Sequence, residues 1–137
     1  MVRPIVKDVF LLGRKATKAT KTDISVANDL MDTLRANAEA CVGMAANMIG
    51  VSKSIIVFRD DDDIYHEMFN PVLVSGFDSF ETEEGCLSLC GVRKTKRYRF
   101  ITVSYETRDG KAKTESFFGF TAQIIQHEID HLNGIII

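Results

Sequence analysis

The 137 residues contain no run approaching the roughly 20 apolar residues that a membrane span needs. The opening stretch MVRPIVKDVFLLGRK carries charges at positions 3, 7 and 8 and only a four-residue apolar run, too short for a secretory signal. Cysteine is scarce. Three residues, an odd number, argue against a disulfide framework and for a reducing, cytoplasmic setting. No long internal repeat, low-complexity tract or Pro/Gly/Ser linker divides the chain, so a single domain over residues 1–137 is expected. Neither sign of charge dominates. A net charge of −2 gives no reason to expect general attraction to nucleic acid or to anionic membranes. The one dense basic run, Arg93-Lys94-Thr95-Lys96-Arg97, reads as a solvated strand or loop.

What is present is the composition of a soluble globular protein, with 45% apolar and 26% charged residues. Residues 22–40 show helical spacing, with Ile24, Ala27, Leu30, Leu34 and Ala38 on one stripe and Thr22 or Asp23 placed to cap it. The run at 54–58 reads as a buried strand, 64–69 as a second strand punctuated by Asn70-Pro71, and 72–74 as the start of a third. Alternation over 98–106, a turn at Arg108-Asp109-Gly110-Lys111 and a strand-like 112–118 predict a β-hairpin. Residues 120–132 are helical by spacing, with Asn133-Gly134 as the stop. Strands in the middle and helices at the flanks predict an α+β fold, with antiparallel strands packed around the C-terminal helix.

That helix carries His127-Glu128-Ile129-Asp130-His131. Residues four apart share a helix face, so Phe120, Ile124, His127 and His131 form one stripe, apolar first and imidazole last. Two histidines so placed, with a Glu directly after the first, are what a metal-hydrolase helix requires. The plainer alternative is a core-facing helix with two satisfied histidines. Glu128 lies about 100° around the helix from His127, beside the ligands, in the position of a general base. Asp130 is a candidate acceptor for the spare ring N–H of a ligand histidine. A catalytic tetrahedral site takes three protein ligands, and the residues after His131 (Leu, Asn, Gly and three Ile) offer none. The third ligand is therefore sought upstream, among Cys41, Cys86, Cys90, a carboxylate or His66. Gly85 lets the backbone beside Cys86 approach a metal closely, which favours that thiol. Cys41 and Cys90 read by default as small packed hydrophobes.

Glu84-Gly85-Cys86-Leu87-Ser88 together with Gln126-His127-Glu128-Ile129-Asp130-His131 resembles the second and third motifs of the peptide deformylases, and residues 42–47 resemble the first. The three motifs stand in family order over most of the chain. The resemblance implies a deformylase-like fold and hydrolysis of the N-formyl group from the initiator methionine of new polypeptides. It implies one divalent ion held by Cys86, His127 and His131, typically Fe²⁺ in this family, with Zn²⁺ or Ni²⁺ also accommodated. It makes Glu128 the proton shuttle and the backbone N–H of Leu87 an oxyanion donor. Backbone at Val42, Gly43 and Met44 and at Glu84 and Gly85 is expected to pair with an extended substrate. Ile124, with Val42, Phe120 and the His127 ring, is expected to line the methionine pocket. Glu84 is expected to pair with Arg97, and Arg93 to face the substrate backbone. Formyl-methionyl nascent chains are the implied partners. Contact with the ribosome is not inferable from this sequence.

The first motif departs from the family at two places: Cys41 stands where the family has its first Gly, and Met48 where it has a Gln. A thioether cannot donate the hydrogen bond of an amide. Loss of one oxyanion donor typically costs on the order of 10²–10³ in rate, so the sequence predicts a slow or altered deformylase unless Asn47 or a water substitutes. A protein that binds N-acylated peptides without turnover is the alternative. A structural zinc domain, with Cys90 closing a fourth position, is a further one.

Overall fold

The structure, a computed structural model, describes residues 1–86 and 89–135, with only the backbone of residues 89 and 90. The chain order is α1 (Val9–Leu12), α2 (Ile24–Ala36), β1 (Gly43–Ala45), β2 (Ile55–Arg59), β3 (Tyr65–Cys86), β4 (Leu89–Glu106), β5 (Ala112–Phe118) and α3 (Gly119–Leu132). Short 3-10 turns at Lys21–Asp23 and Ala46–Ile49 precede α2 and follow β1. The strands form one antiparallel meander in the order β1-β2-β3-β4-β5. The expected antiparallel α+β architecture is what forms.

The unbroken apolar run in β2 has a direct explanation. Ile55 and Val57 face a core that includes Leu30 and Leu34 of α2, while Ile56 and Phe58 face a second core with Ile124, Ile125 and Ile129 of α3. A strand buried on both faces does not alternate. Neighbouring β1 splits in the same way, with Met44 in the first core and Ala45 in the second. The two helices thus clamp the short central strands from opposite sides. Gln126 fastens α3 to the sheet, its side chain accepting from Tyr98 N at 2.9 Å and donating to Tyr98 O at 2.8 Å.

Two expectations need correcting. The helix expected over 22–40 ends at Ala36, with residues 37–40 forming turns. Its start is built differently too: Thr20 and Asp23 form a capping box around the preceding 3-10 turn. The strand expected to end at Asn70-Pro71 instead continues to Cys86. Asn70 adopts φ +53° within an irregularity between Phe69 and Val72, where Pro71 needs no ladder N–H. Its side chain holds both Ala19 N and Ala19 O, so the kink is fixed by tertiary bonds. Past Phe77, where β5 no longer flanks β4, β3 and β4 continue as a two-stranded arm. Its register sets Glu81 opposite Lys96 and Glu83 opposite Lys94, polar pairs that conceal a strand from any search for apolar alternation.

Gly134, just past α3, has φ +74°, and a Cβ there would collide with the Gly13 carbonyl oxygen. Gly91 has a similar φ of +77° but open space around it. Both positions favour glycine, yet only one also forbids volume. Gly134→Ala is expected to lower the melting temperature well beyond Gly91→Ala, which should show only a backbone cost of about 1 kcal/mol. Equal losses by thermal unfolding would show that the Gly13 contact carries no stability.

Candidate metal and catalytic centre

The arm formed by β3 and β4 ends beside α3, and this places Cys86 at the side of the two helix histidines. One donor atom from each of Cys86, His127 and His131 lies within 4.8 Å of the others. The two Nε2 atoms face each other at 3.0 Å. Both imidazoles are buried and the thiol is half-buried. Two ring nitrogens and a sulfur converging on one point cannot all keep protons, and the arrangement suits a cation that takes a lone pair from each. The donor set fits a divalent transition ion.

The orientation of His127 is fixed from behind. Its Nδ1 bonds Glu84 Oε1 at 2.7 Å, which leaves Nε2 turned to the shared point. Glu84 is itself gripped by Arg97, whose Nη2 and Nε donate at 2.7 and 2.9 Å, and by Gln123 Nε2 at 2.9 Å. Arg97 is 3% exposed and also donates to Asp130 Oδ2 at 2.6 Å. The expected Glu84–Arg97 pair is therefore present, but Arg97 is no solvated charge. Asp130 reaches the arginine and not a ligand histidine, because its place on α3 turns it toward β4. His131 makes no bond through Nδ1 among the described residues, so packing sets its pose. Its backbone oxygen accepts from Asn47 Nδ2 at 2.8 Å.

The titrations follow from these contacts. Burial works to raise the Glu84 carboxyl, but the bonds to His127 and Arg97 prevail and hold it at about 2. Burial pulls His127 down, yet the bonds to Cys86 and Glu84 more than reverse this and raise it to about 10. His131 is depressed to about 3, first by burial and then by the charge on His127. Burial lifts the Glu128 carboxyl to about 7. Its Oε1 is buried with no hydrogen-bond partner among the described residues, as suits an acceptor that awaits a donor from the cavity.

A cavity of about 260 Å³ opens over this group. Its walls include Val42, Gly43, Met48, Glu84, Gly85, Cys86, Phe120, Ile124, His127 and Glu128, so most of the residues singled out by sequence meet here. Gly43 is tightly placed: a Cβ on it would lie 2.8 Å from Ile124 Cγ2 and 2.9 Å from Glu128 Oε2. Among the described residues, strand β1 pairs only with β2 and stands at the edge of the sheet, where an added strand could pair. Met44 faces the core, so only its backbone is available for that. Arg93 is not among the wall residues. It lies in β4 opposite Glu84. Leu87 and the Cys90 side chain lie outside the described residues, and His66 pairs with Asp60 at 2.7 Å, away from the cluster.

Two wall residues go beyond the sequence reading. Cys41, read as core, does pack against the first core and also lines the cavity, where its S–H donates to Gly43 O and burial pushes its thiol up to about 12. Gln123 does not stand out in the sequence, although it lies four residues before His127 on the same helix face. That spacing is the one signal available for it. Asn47 is buried with its amide committed to the carbonyls of His131 and Leu12, at 2.8 and 3.3 Å. It therefore does not stand in for the amide missing at Met48.

Comparison with known proteins agrees with this geometry. Residues 5–137 match the family model for polypeptide deformylase. A peptide deformylase of Clostridium beijerinckii (strain ATCC 51743 / NCIMB 8052) is 58% identical over 137 residues, covering the whole of both chains. Among solved structures, the Met-Ala-Ser-bound class I type b peptide deformylase from Acinetobacter baumannii superposes with a TM-score of 0.88 at 28% identity, covering 99% of this chain and 97% of that one. The peptide deformylase from Thermus thermophilus gives 0.87 at 33% identity, over 98% and 83%. With the family model matched over nearly its whole length, the chain belongs to the peptide deformylase family.

Proposed function

We propose that Cys86, His127 and His131 hold the divalent ion of this deformylase and that Glu128 moves the proton in hydrolysis of the N-formyl group. The observation that carries this reading is convergence: donor atoms of Cys86, His127 and His131 meet, and Cys86 and His127 line one cavity together with Glu128, which has a partnerless buried oxygen. When bound, such an ion supplies Lewis-acid polarisation of a carbonyl and lowers the pKa of a water. Everything else is done by the chain. Glu128, held against Gly43, accepts the proton of the attacking water and returns it to the departing amine nitrogen. The open edge at Val42–Met44 and the backbone at Glu84–Gly85 align the peptide as an added strand. Phe120 and Ile124 form the apolar wall for the methionine side chain. The related Acinetobacter baumannii enzyme is described with Met-Ala-Ser bound, which supports a peptide beginning with methionine.

In this reading the oxyanion takes the backbone N–H of Leu87, with no side-chain amide at position 48. The chain acts as a single catalytic domain on formyl-methionyl nascent chains. Mixed thiolate and imidazole donors suit Fe²⁺, Zn²⁺ and Ni²⁺, and Fe²⁺ is proposed as the ion in the cell. A reducing cytoplasm is the setting that keeps both Fe²⁺ and the Cys86 thiolate intact.

Three outcomes follow. Glu128→Ala should abolish formate release from a formyl-Met peptide while metal content stays at wild-type level; persistent release would remove Glu128 from the mechanism. Glu84→Gln keeps shape but weakens the hold on His127 and Arg97, and should loosen the ion by about 10–100-fold in a chelator competition. Unchanged affinity would mean that His127 needs no support. Met48→Gln should raise kcat on the same peptide, towards the roughly 10²–10³ that one oxyanion donor provides. No gain would show that Met48 is not the limiting departure.

A further inference from the structure

Along an antiparallel edge strand, successive residues turn their backbone carbonyls alternately to the neighbouring strand and to the open side. Val42 O accepts from Arg59 N at 2.8 Å and so faces β2. Gly43, opposite Phe58 in the register, then presents its carbonyl to the open side of β1. That carbonyl already has a donor within the chain. Cys41, two residues back, gives it an S–H bond at 2.8 Å. Gly43 is buried, and a buried C=O left unpaired is costly, so the thiol satisfies a real need. Cys41 is half-buried and lines the cavity. Burial works to keep its proton on the sulfur.

The place of this carbonyl gives the contact its interest. Gly43 lies so close to α3 that a Cβ on it would stand 2.9 Å from Glu128 Oε2. Glu128 is 4% exposed, and its Oε1 has no partner among the described residues. Cys41, Gly43 and Glu128 line one cavity together with Cys86 and His127. A backbone N–H docked on Gly43 O would therefore lie beside the carboxylate read above as the proton shuttle.

We propose that the Cys41 thiol competes with the substrate for Gly43 O, so that a peptide N–H must displace the S–H to bond that carbonyl. The proposal rests on the reading of β1 as the edge along which the peptide pairs. A thiol is a weak donor, so a peptide N–H can replace it, with a smaller gain than on a carbonyl that has no internal donor. Rotation of one side-chain torsion moves the sulfur aside. The glycine that the deformylase motif has at this position carries no donor, so the competition is particular to Cys41 in this chain. Displacement is complete once the peptide is bound and is shared by ground and transition states. It therefore raises KM and leaves kcat alone. Cys41 acts through Gly43 as a positioning residue.

The test uses the full, metal-loaded chain with formyl-Met-Ala-Ser as substrate. Cys41→Ala should lower KM about threefold to tenfold, the scale of one neutral hydrogen bond, with kcat held. Cys41→Ser should raise KM by a similar factor, because a hydroxyl donates more strongly to the same carbonyl. Both substitutions shrink the side chain, so a merely steric role would move KM the same way in both. A second readout needs no turnover. The infrared S–H stretch of Cys41, isolated by subtracting the Cys41→Ala spectrum, should move to the frequency of a weaker hydrogen bond when unformylated Met-Ala-Ser is added to wild-type protein. Failure of the deformylase reading would show separately, as wild-type protein that releases no formate, and the band alone would then decide. The proposal is overturned if Ala and Ser shift KM in the same direction or not at all, or if the peptide leaves the band in place.

Discussion

A single buried carboxylate, Glu84, ties the sheet to the helix that carries the two proposed histidine ligands. It takes one imidazole N–H from α3, a double hydrogen bond from Arg97 on β4 and an amide from Gln123. Glu84 lies two residues before Cys86 on the same strand, so the group that orients one proposed ligand shares its backbone with another. A buried charge costs stability unless it is fully paired. Here the surrounding donors satisfy it well enough to hold the carboxyl at about 2 despite its burial. Arg97 is in turn shared with Asp130, next to His131 in sequence. The network therefore braces the helix on both sides of Glu128 without using Glu128 itself.

That division of labour leaves Glu128, the proposed proton shuttle, different from its neighbours. Glu84 has every donor it needs; Glu128 is buried, has a partnerless oxygen, and is raised to about 7. Two carboxylates in one site are thus driven apart by environment, one permanently charged and structural, the other poised to exchange a proton. The wall that holds Glu128 in place is backbone, since Gly43 leaves no room for a side chain between β1 and α3. Core packing sets this approach. Ala45 and Ile56 bury against Ile125 and Ile129 on the same helix.

Much of this is legible in the sequence, and the reasons are specific. His127, Glu128 and His131 are local on one helix, so their geometry follows from helical spacing alone. Cys86 is recognisable from its neighbours Glu84 and Gly85, although no local rule could bring it to the helix. The long arm is only half legible, because its outer face is solvated and its strands alternate charge with charge. Gln123 and the true partner of Asp130 depend on how α3 rotates against β4, which no one-dimensional pattern encodes. Cys41 follows the stripe of α2 in sequence, but the helix stops at Ala36 and the turns at 37–40 redirect it into the cavity.

The claim on which the rest depends is that Glu84 fixes His127 with Nδ1 protonated and Nε2 presented to the ion. Nitrogen-15 NMR of histidine-labelled, zinc-loaded protein reads this tautomer directly. The account predicts that His127 coordinates through Nε2 and keeps a slowly exchanging Nδ1 proton, whose exchange quickens in Glu84→Gln. Coordination through Nδ1, or an Nδ1 proton indifferent to Glu84, would contradict it.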